Sequence, residues 1–297
     1  MSHRRRQGGA IHAALAELGR GPRKRLGQHF LANPETARRI VALAALRGGE
    51  PVVEIGPGLG ALTEHLLPLA GELWLVELDR DLAARLQTQH AQRANVHVAH
   101  ADMLSVDVDE LLGTAPPAVV VANLPYNVAT PILARLLGRA ERFARIVVMV
   151  QREVAERLRA GPGTKAYSAL SVLTQVVARV ERGLRLSPGS FVPPPKVDSE
   201  VVVITPHAVP LVLPSDSEWF VQVVRAVFSQ RRKQLINSLR SVTRDPVAAL
   251  SRAGIDPRRR PETLSIDEMI RLSAETRSAP APRPTSSDDQ GEEERSY

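Results

Sequence analysis

Five short apolar runs recur through the first half of the chain: residues 51–55, 72–77, 96–100, 118–122 and 146–150, with helically spaced apolar positions between them. Runs this brief and this apolar read as strands, and their alternation with helices makes the sheet parallel and covered on both faces. A sixth run, 201–204, predicts a late strand closing the same domain. After a turn-rich stretch from Pro206 to Pro214, the pairs Trp219/Phe220, Val223/Val224 and Val227/Phe228 return every four residues, which is one face of a helix. The fold class is therefore α/β: a Rossmann-like domain over 23–209 followed by a small all-helical domain over 210–276. Residues 1–22 read as a flexible basic arm with at most a short helix over Ile11–Leu18, and 277–297, rich in Pro, Ser and acids, as a disordered tail.

Composition narrows the chemistry. Cysteine is absent, so no disulfide, thiolate nucleophile or cysteine-held metal can operate, and no metal site is expected. No run of apolar residues is long enough to span a bilayer, and Arg4–Arg6 are not followed by the apolar core of a secretion signal, so a cytoplasmic protein is expected. The formal net charge of +7, held down by the acids Asp288, Asp289 and Glu292–Glu294, favours a polyanionic partner.

The first strand runs into Glu54-Ile55-Gly56-Pro57-Gly58-Leu59-Gly60, with a helix expected over 61–67. Glycines at such a turn let the backbone approach a ligand at a helix N-terminus, and Glu77, ending the second strand, stands where an acid can hold ribose hydroxyls. Gly56, Gly58 and Ala61 also satisfy the pattern of a nicotinamide dinucleotide site, so these residues alone leave two cofactors open. Asp102, after the third strand, can accept from an adenine amino group. The fourth strand ends in Asn123-Leu124-Pro125-Tyr126, for which a nicotinamide enzyme has no use, and this tips the balance toward S-adenosylmethionine. The amino nitrogen of adenine is a poor nucleophile because its lone pair is delocalised into the ring. An Asn oxygen and a backbone carbonyl held beside Pro125 can accept both amino hydrogens, and Tyr126 offers a ring on which an extruded base can stack.

These stretches resemble the KsgA-type small-subunit ribosomal RNA adenine dimethyltransferases, from about Arg23 to Ile270. The matching blocks are Leu26-Gly27-Gln28-His29-Phe30-Leu31, the Gly56 loop, Glu77-Leu78-Asp79, residues 123–131, residues 151–157, residues 191–199 from Phe191 to Ser199, and residues 231–239. The resemblance implies a class I methyltransferase domain. It also implies that His29, Leu31, Gly56, Gly58, Glu77, Asp102 and Asn123 line the methyl-donor site, and that Tyr126 and Phe191 face the target base. Position 29 is often Asn in that family and is His here; either can donate a hydrogen bond. Pro193–Pro195 stiffen an extended segment that can hold Phe191 and Lys196 over a cleft, and Arg231, Arg232 and Lys233, with few acids nearby, suit RNA phosphates.

The substrate implied by the resemblance is a pair of adjacent adenosines in the 3′-terminal hairpin of small-subunit rRNA within a pre-ribosomal particle, modified by a monomer. Three rivals remain: a macrolide-resistance methyltransferase of large-subunit RNA, a non-catalytic ribosome-assembly factor of the same fold, and a nicotinamide dehydrogenase. The 191–199 and 231–239 blocks speak against the first, and intact Gly56, Glu77, Asp102 and Asn123 against the second.

Overall fold

The computed structural model describes residues 2–229 and 234–277. The chain forms two compact units, one holding the chain up to Gly161 with Ala166–Leu211, the other Pro162–Lys165 with the chain from Val212 onward. Each is described by itself.

Among the described residues the first unit is built on nine strands: β1 (Phe30–Leu31), β2 (Glu50–Ile55), β3 (Ala70–Glu77), β4 (Val96–His100), β5 (Ala118–Asn123), β6 (Phe143–Gln151), β7 (Ala178–Leu186), β8 (Phe191–Val192) and β9 (Ser199–Pro206). Seven of them form one sheet in the order β4-β3-β2-β5-β6-β9-β7. The first five are mutually parallel, and β9 runs antiparallel to both β6 and β7. The run 201–204 therefore lies inside the sheet, and the edge on that side is β7, whose Arg179, Glu181, Arg182 and Arg185 carry no apolar alternation. Charged residues suit an edge strand, where one row of backbone groups lacks a neighbour. Glu200 on β9 is fully buried but ion-paired, with Arg159 and with Arg185 at 3.3 Å. Strands β1 and β8 pair separately as a two-stranded ribbon, Phe30 opposite Val192 and Leu31 opposite Phe191.

The α-helices accompanying these strands are α1 (Ser2–Glu17), α2 (Pro34–Ala42), α3 (Thr63–Leu66), α4 (Arg80–His90), α5 (Val108–Leu112), α6 (Ala129–Leu137), α7 (Arg152–Arg159) and α8 (Ala169–Gln175). Their apolar faces close two clusters of buried side chains. One contains Val120, Leu133 and Val148, the other Ile40, Leu66 and Val121. Because residues alternate faces along a strand, Val120 and Val121 of β5 enter different clusters, which is why this strand is apolar throughout. Local signals start several helices. The Asn33 side chain accepts from Glu35 N ahead of Pro34, and Asp79 accepts from Asp81 N at α4.

The expectation of a flexible arm over 1–22 is corrected. The segment is helical from Ser2 to Glu17, and Ile11 and Leu15 are buried with Phe30 and Leu82. A helix this short is marginal in isolation, so its packing against the domain is what holds it.

The second unit contains α9 (Pro214–Ser229), α10 (Leu235–Ser238), α11 (Pro246–Arg252) and α12 (Ile266–Arg277). Phe220, Val223, Val224, Val227 and Phe228 of α9 are buried, the face marked by the four-residue spacing, and Trp219 Nε1 donates to Ser273 O of α12 at 3.0 Å. Pro162–Lys165 joins this unit through Gly163 N, which donates to Glu262 O. Among the described residues no helix is long and apolar enough to cross a membrane.

Candidate active site

Four neighbouring parallel strands deliver their carboxyl ends to one place. β2 runs into the Gly56 loop, β3 ends in Glu77, β4 is followed by Asp102, and β5 ends in Asn123. That edge of an open α/β sheet is where ligands bind. A cavity of about 530 Å³ opens there. It is lined by His29, Leu31, Gly56, Gly58, Glu77, Asp102, Asn123, Leu124, Pro125 and Tyr126, so ten residues from scattered stretches of the chain share one wall.

The glycine loop needs its glycines. Gly56 and Gly58 have φ of +66° and +62°, and a Cβ on Gly58 would stand 3.1 Å from the Phe30 ring. Glu77 fastens the loop: one carboxylate oxygen accepts Gly58 N at 2.9 Å, the other Asp79 N at 2.8 Å. Burial pushes the Glu77 carboxyl above the usual carboxylate range against the pull of those two bonds. Beside it Glu54, fully buried, receives the Thr63 hydroxyl at 2.6 Å, and loss of water raises its pKa to about 8. Glu54 also lines the cavity, a place that sequence reasoning misses, although a lone acid inside an apolar strand next to the glycine loop is a readable signal.

The electrostatic character of the cavity follows from its walls. Among the described residues four carboxyl groups line it, Glu64, Glu77, Asp102 and Glu54, the last held protonated by burial, and no lysine or arginine does. A cationic ligand is favoured in such a site, whereas a pyrophosphate would meet acids with no cation to offset them. The Gly loop, the Glu77 carboxylate and the apolar lining from Leu59, Val76, Leu78 and Met103 fit a nucleoside joined to a positively charged chain.

The segment 123–126 is tied down by groups distant in sequence. Asn123 Nδ2 donates to His29 O at 2.9 Å, which leaves Oδ1 as an acceptor. Leu124 N donates to Met149 O, fixing the peptide ahead of Pro125. The Tyr126 hydroxyl lies 2.5 Å from Ser199 Oγ, and the His29 ring stacks on the Tyr126 ring with centroids 5.5 Å apart. His29 Nδ1 is 2.7 Å from Pro193 O; a carbonyl only accepts, so Nδ1 carries the hydrogen. Ser199 and Pro193 thus act on the Tyr126 ring, pairings that local sequence does not announce.

Three expected groups are not among the described walls of this cavity. Phe191 does not line the cavity: its side chain is 2% exposed and packs with Leu31 and Leu186. The pairing of β8 with β1 sets Phe191 opposite Leu31, itself a wall of the cavity. Lys196 lines a separate cavity of about 420 Å³, facing Glu153, Glu156 and Asp198 as well as Arg152, a mixed setting rather than a basic one. Arg231, Arg232 and Lys233 lie outside the described residues.

Known proteins bear on this geometry. The chain is 46% identical over 255 residues to ribosomal RNA small subunit methyltransferase A of Syntrophotalea carbinolica, a match covering 85% of this chain and 96% of the relative. Its fold is similar to a dimethyladenosine transferase from Plasmodium falciparum, with a TM-score of 0.73 at 24% identity over 84% of this chain and 98% of the other. It is also similar to the 23S rRNA methyltransferase ErmE, with a TM-score of 0.64 at 27% identity over 84% of this chain and 99% of the other. The family model described as ribosomal RNA adenine dimethylase matches residues 20–277, and the chain belongs to that family.

Proposed function

We propose that this protein uses S-adenosylmethionine to dimethylate the exocyclic N6 of two adjacent adenosines in the 3′-terminal hairpin of small-subunit rRNA, acting on a pre-ribosomal particle. The observation that carries the reading is a carboxylate-lined cavity, without lysine or arginine among its described walls, that opens directly onto Asn123 and Tyr126. The 46% identity to a small-subunit enzyme over most of the chain supports that subunit as the substrate.

In this reading Glu77 accepts the ribose hydroxyls, Asp102 accepts the adenine amino group of the donor, and Gly56 and Gly58 let the backbone come close. Leu31 forms part of the wall, and His29, stacked on one face of Tyr126, lines the donor side of the cavity. S-adenosylmethionine, when bound, supplies an electrophilic methyl group on a sulfonium. The target adenine lies on the face of Tyr126 opposite His29. Asn123 Oδ1 and the Leu124 carbonyl accept its two amino hydrogens, drawing the nitrogen toward tetrahedral geometry and freeing its lone pair. No strong base is required, because the methylated ammonium is acidic and its proton passes to water.

Transfer of labelled methyl from S-adenosylmethionine to small-subunit particles, with large-subunit particles and naked RNA in parallel and nucleoside analysis after each, tests this. Dimethyladenosine confined to small-subunit particles is expected. Label in large-subunit RNA, or none in either, overturns the assignment.

A further inference from the structure

The family match begins at residue 20, yet α1, which precedes it, contributes to the cavity: Ala10, Ile11 and Ala14 line it along with the glycine loop and Glu77. We infer that α1, which precedes the residues matched by the family model, is a wall of the methyl-donor site that holds the nucleoside end of S-adenosylmethionine and of its product S-adenosylhomocysteine. The inference rests on the donor reading above.

Three observations fix α1 in that position. Ile11 and Leu15, one helical turn apart, are buried against Phe30 and Leu82, with Leu59 of the glycine loop packed alongside. Glu17 accepts from Arg85 of α4 at 2.9 Å. Immediately after α1, Arg20 and Arg23 each pair with both Asp79 and Asp81 across the turn that follows Glu77. These contacts converge on the strand ends that hold Glu77 and the glycines. Ile11 and Ala14 then present small apolar surface to the cavity, complementing the carboxylates opposite. Apolar walls that exclude water strengthen the polar contacts a nucleoside makes and slow its departure.

Calorimetry and stopped-flow dissociation of S-adenosylhomocysteine from the full chain test the wall without any RNA or turnover. Ile11→Ser removes apolar wall and anchor together, and is expected to weaken binding and speed release by about tenfold, as fits the loss of one buried aliphatic side chain. Ala14→Trp leaves the anchor alone but fills part of the cavity, and is expected to lower affinity at least as much, with the melting temperature of the ligand-free protein unchanged. If both folded variants bind and release S-adenosylhomocysteine as the wild type does, α1 is no wall of the site. If the wild type itself fails to bind it, the donor reading falls instead.

Discussion

Glu54 sits one residue before the end of β2, fully buried, with its carboxyl raised to about 8 by loss of water and by Glu77 nearby. Between its unfolded value of 4.5 and that raised value, the native chain holds a proton that the unfolded chain has released. Stability attributable to this residue is therefore present at low pH and falls as pH rises through that window. Glu54→Gln, which keeps an acceptor for the Thr63 hydroxyl but cannot ionise, is expected to flatten the decline of urea midpoints between about pH 5 and pH 8. An unchanged slope would mean that Glu54 is ionised in the folded protein. The reactive segment separates chemistry from binding. Asn123 is placed to act where charge develops, so Asn123→Ala should cut single-turnover methylation of small-subunit particles by about 10²–10³-fold while particle binding survives. Tyr126 is proposed to hold the base in ground and transition states alike, so Tyr126→Ala should cost about 1–3 kcal/mol of stacking. Tyr126→Phe should restore much of this but not all, because the phenylalanine lacks the hydroxyl that meets Ser199 Oγ. Donor binding is measured separately, since Asn123 also lines the cavity. Equal rates for Tyr126→Phe and Tyr126→Ala would remove the stacking role.

Elements differ in how much of themselves they write into the chain. Strands β2, β3, β5 and β6 are legible as apolar runs because they lie inside the sheet, β4 from Val96 and Val98 although it is an edge strand, and α9 because its buried stripe repeats every four residues. The edge strand β7 is not, since water or ion pairs satisfy its arginines, and two-residue strands such as β1 and β8 have no period to read. The helix α1 escapes notice because its stripe is short, Ile11 and Leu15 within basic and small residues, and its partners Phe30 and Leu82 are distant in sequence. The site shows the same division. The glycine loop and residues 123–126 are local and readable, whereas the Tyr126–Ser199 and His29–Pro193 contacts span 73 and 164 residues, so only folding reveals them. It is also folding that sets Phe191 opposite Leu31 in the core. Asp79 shows what such long-range ties are worth. Its fully buried side chain caps α4 and accepts from Arg20, Arg23 and Gln28 at 2.7–2.9 Å, fastening the N-terminal segment to the turn after β3. Asp79→Ala removes the cap and leaves two arginines partly buried and facing only Asp81. After allowing for their exposure, the expected loss is about 2–4 kcal/mol in urea unfolding. A loss below about 0.5 kcal/mol would show that the arginines find water instead.

Over the whole molecule the formal charge is +7, with 39 basic residues against 32 acidic ones, and the distribution decides where RNA phosphates can be met. The described walls of the donor cavity carry acids and no lysine or arginine, so the surplus of positive charge must act elsewhere. Many of the arginines in the first unit are already engaged, Arg20 and Arg23 with Asp79 and Asp81, Arg159 and Arg185 with Glu200. Lys196 stands among Glu153, Glu156 and Asp198, which weaken its attraction for a phosphate. The sequence places a basic run, Arg231-Arg232-Lys233, just after α9 with no acid from Arg225 to Asn237. Each phosphate neutralised releases condensed counterions, so replacing these three residues by Gln should weaken particle binding at low salt. The slope of log K against log salt should flatten by about 2 to 3, at roughly 0.7–0.9 for each phosphate no longer neutralised. Lys196→Gln should change that slope by less than the share of a single phosphate, and neither variant should alter the affinity for S-adenosylhomocysteine. Titrations of small-subunit particles across a salt series, with donor calorimetry alongside, read all of these quantities. A wild-type slope in the triple variant would mean that the basic run is solvated and that the particle is held through other cations. A larger effect from Lys196 would move the phosphate-binding role to the segment preceding β9.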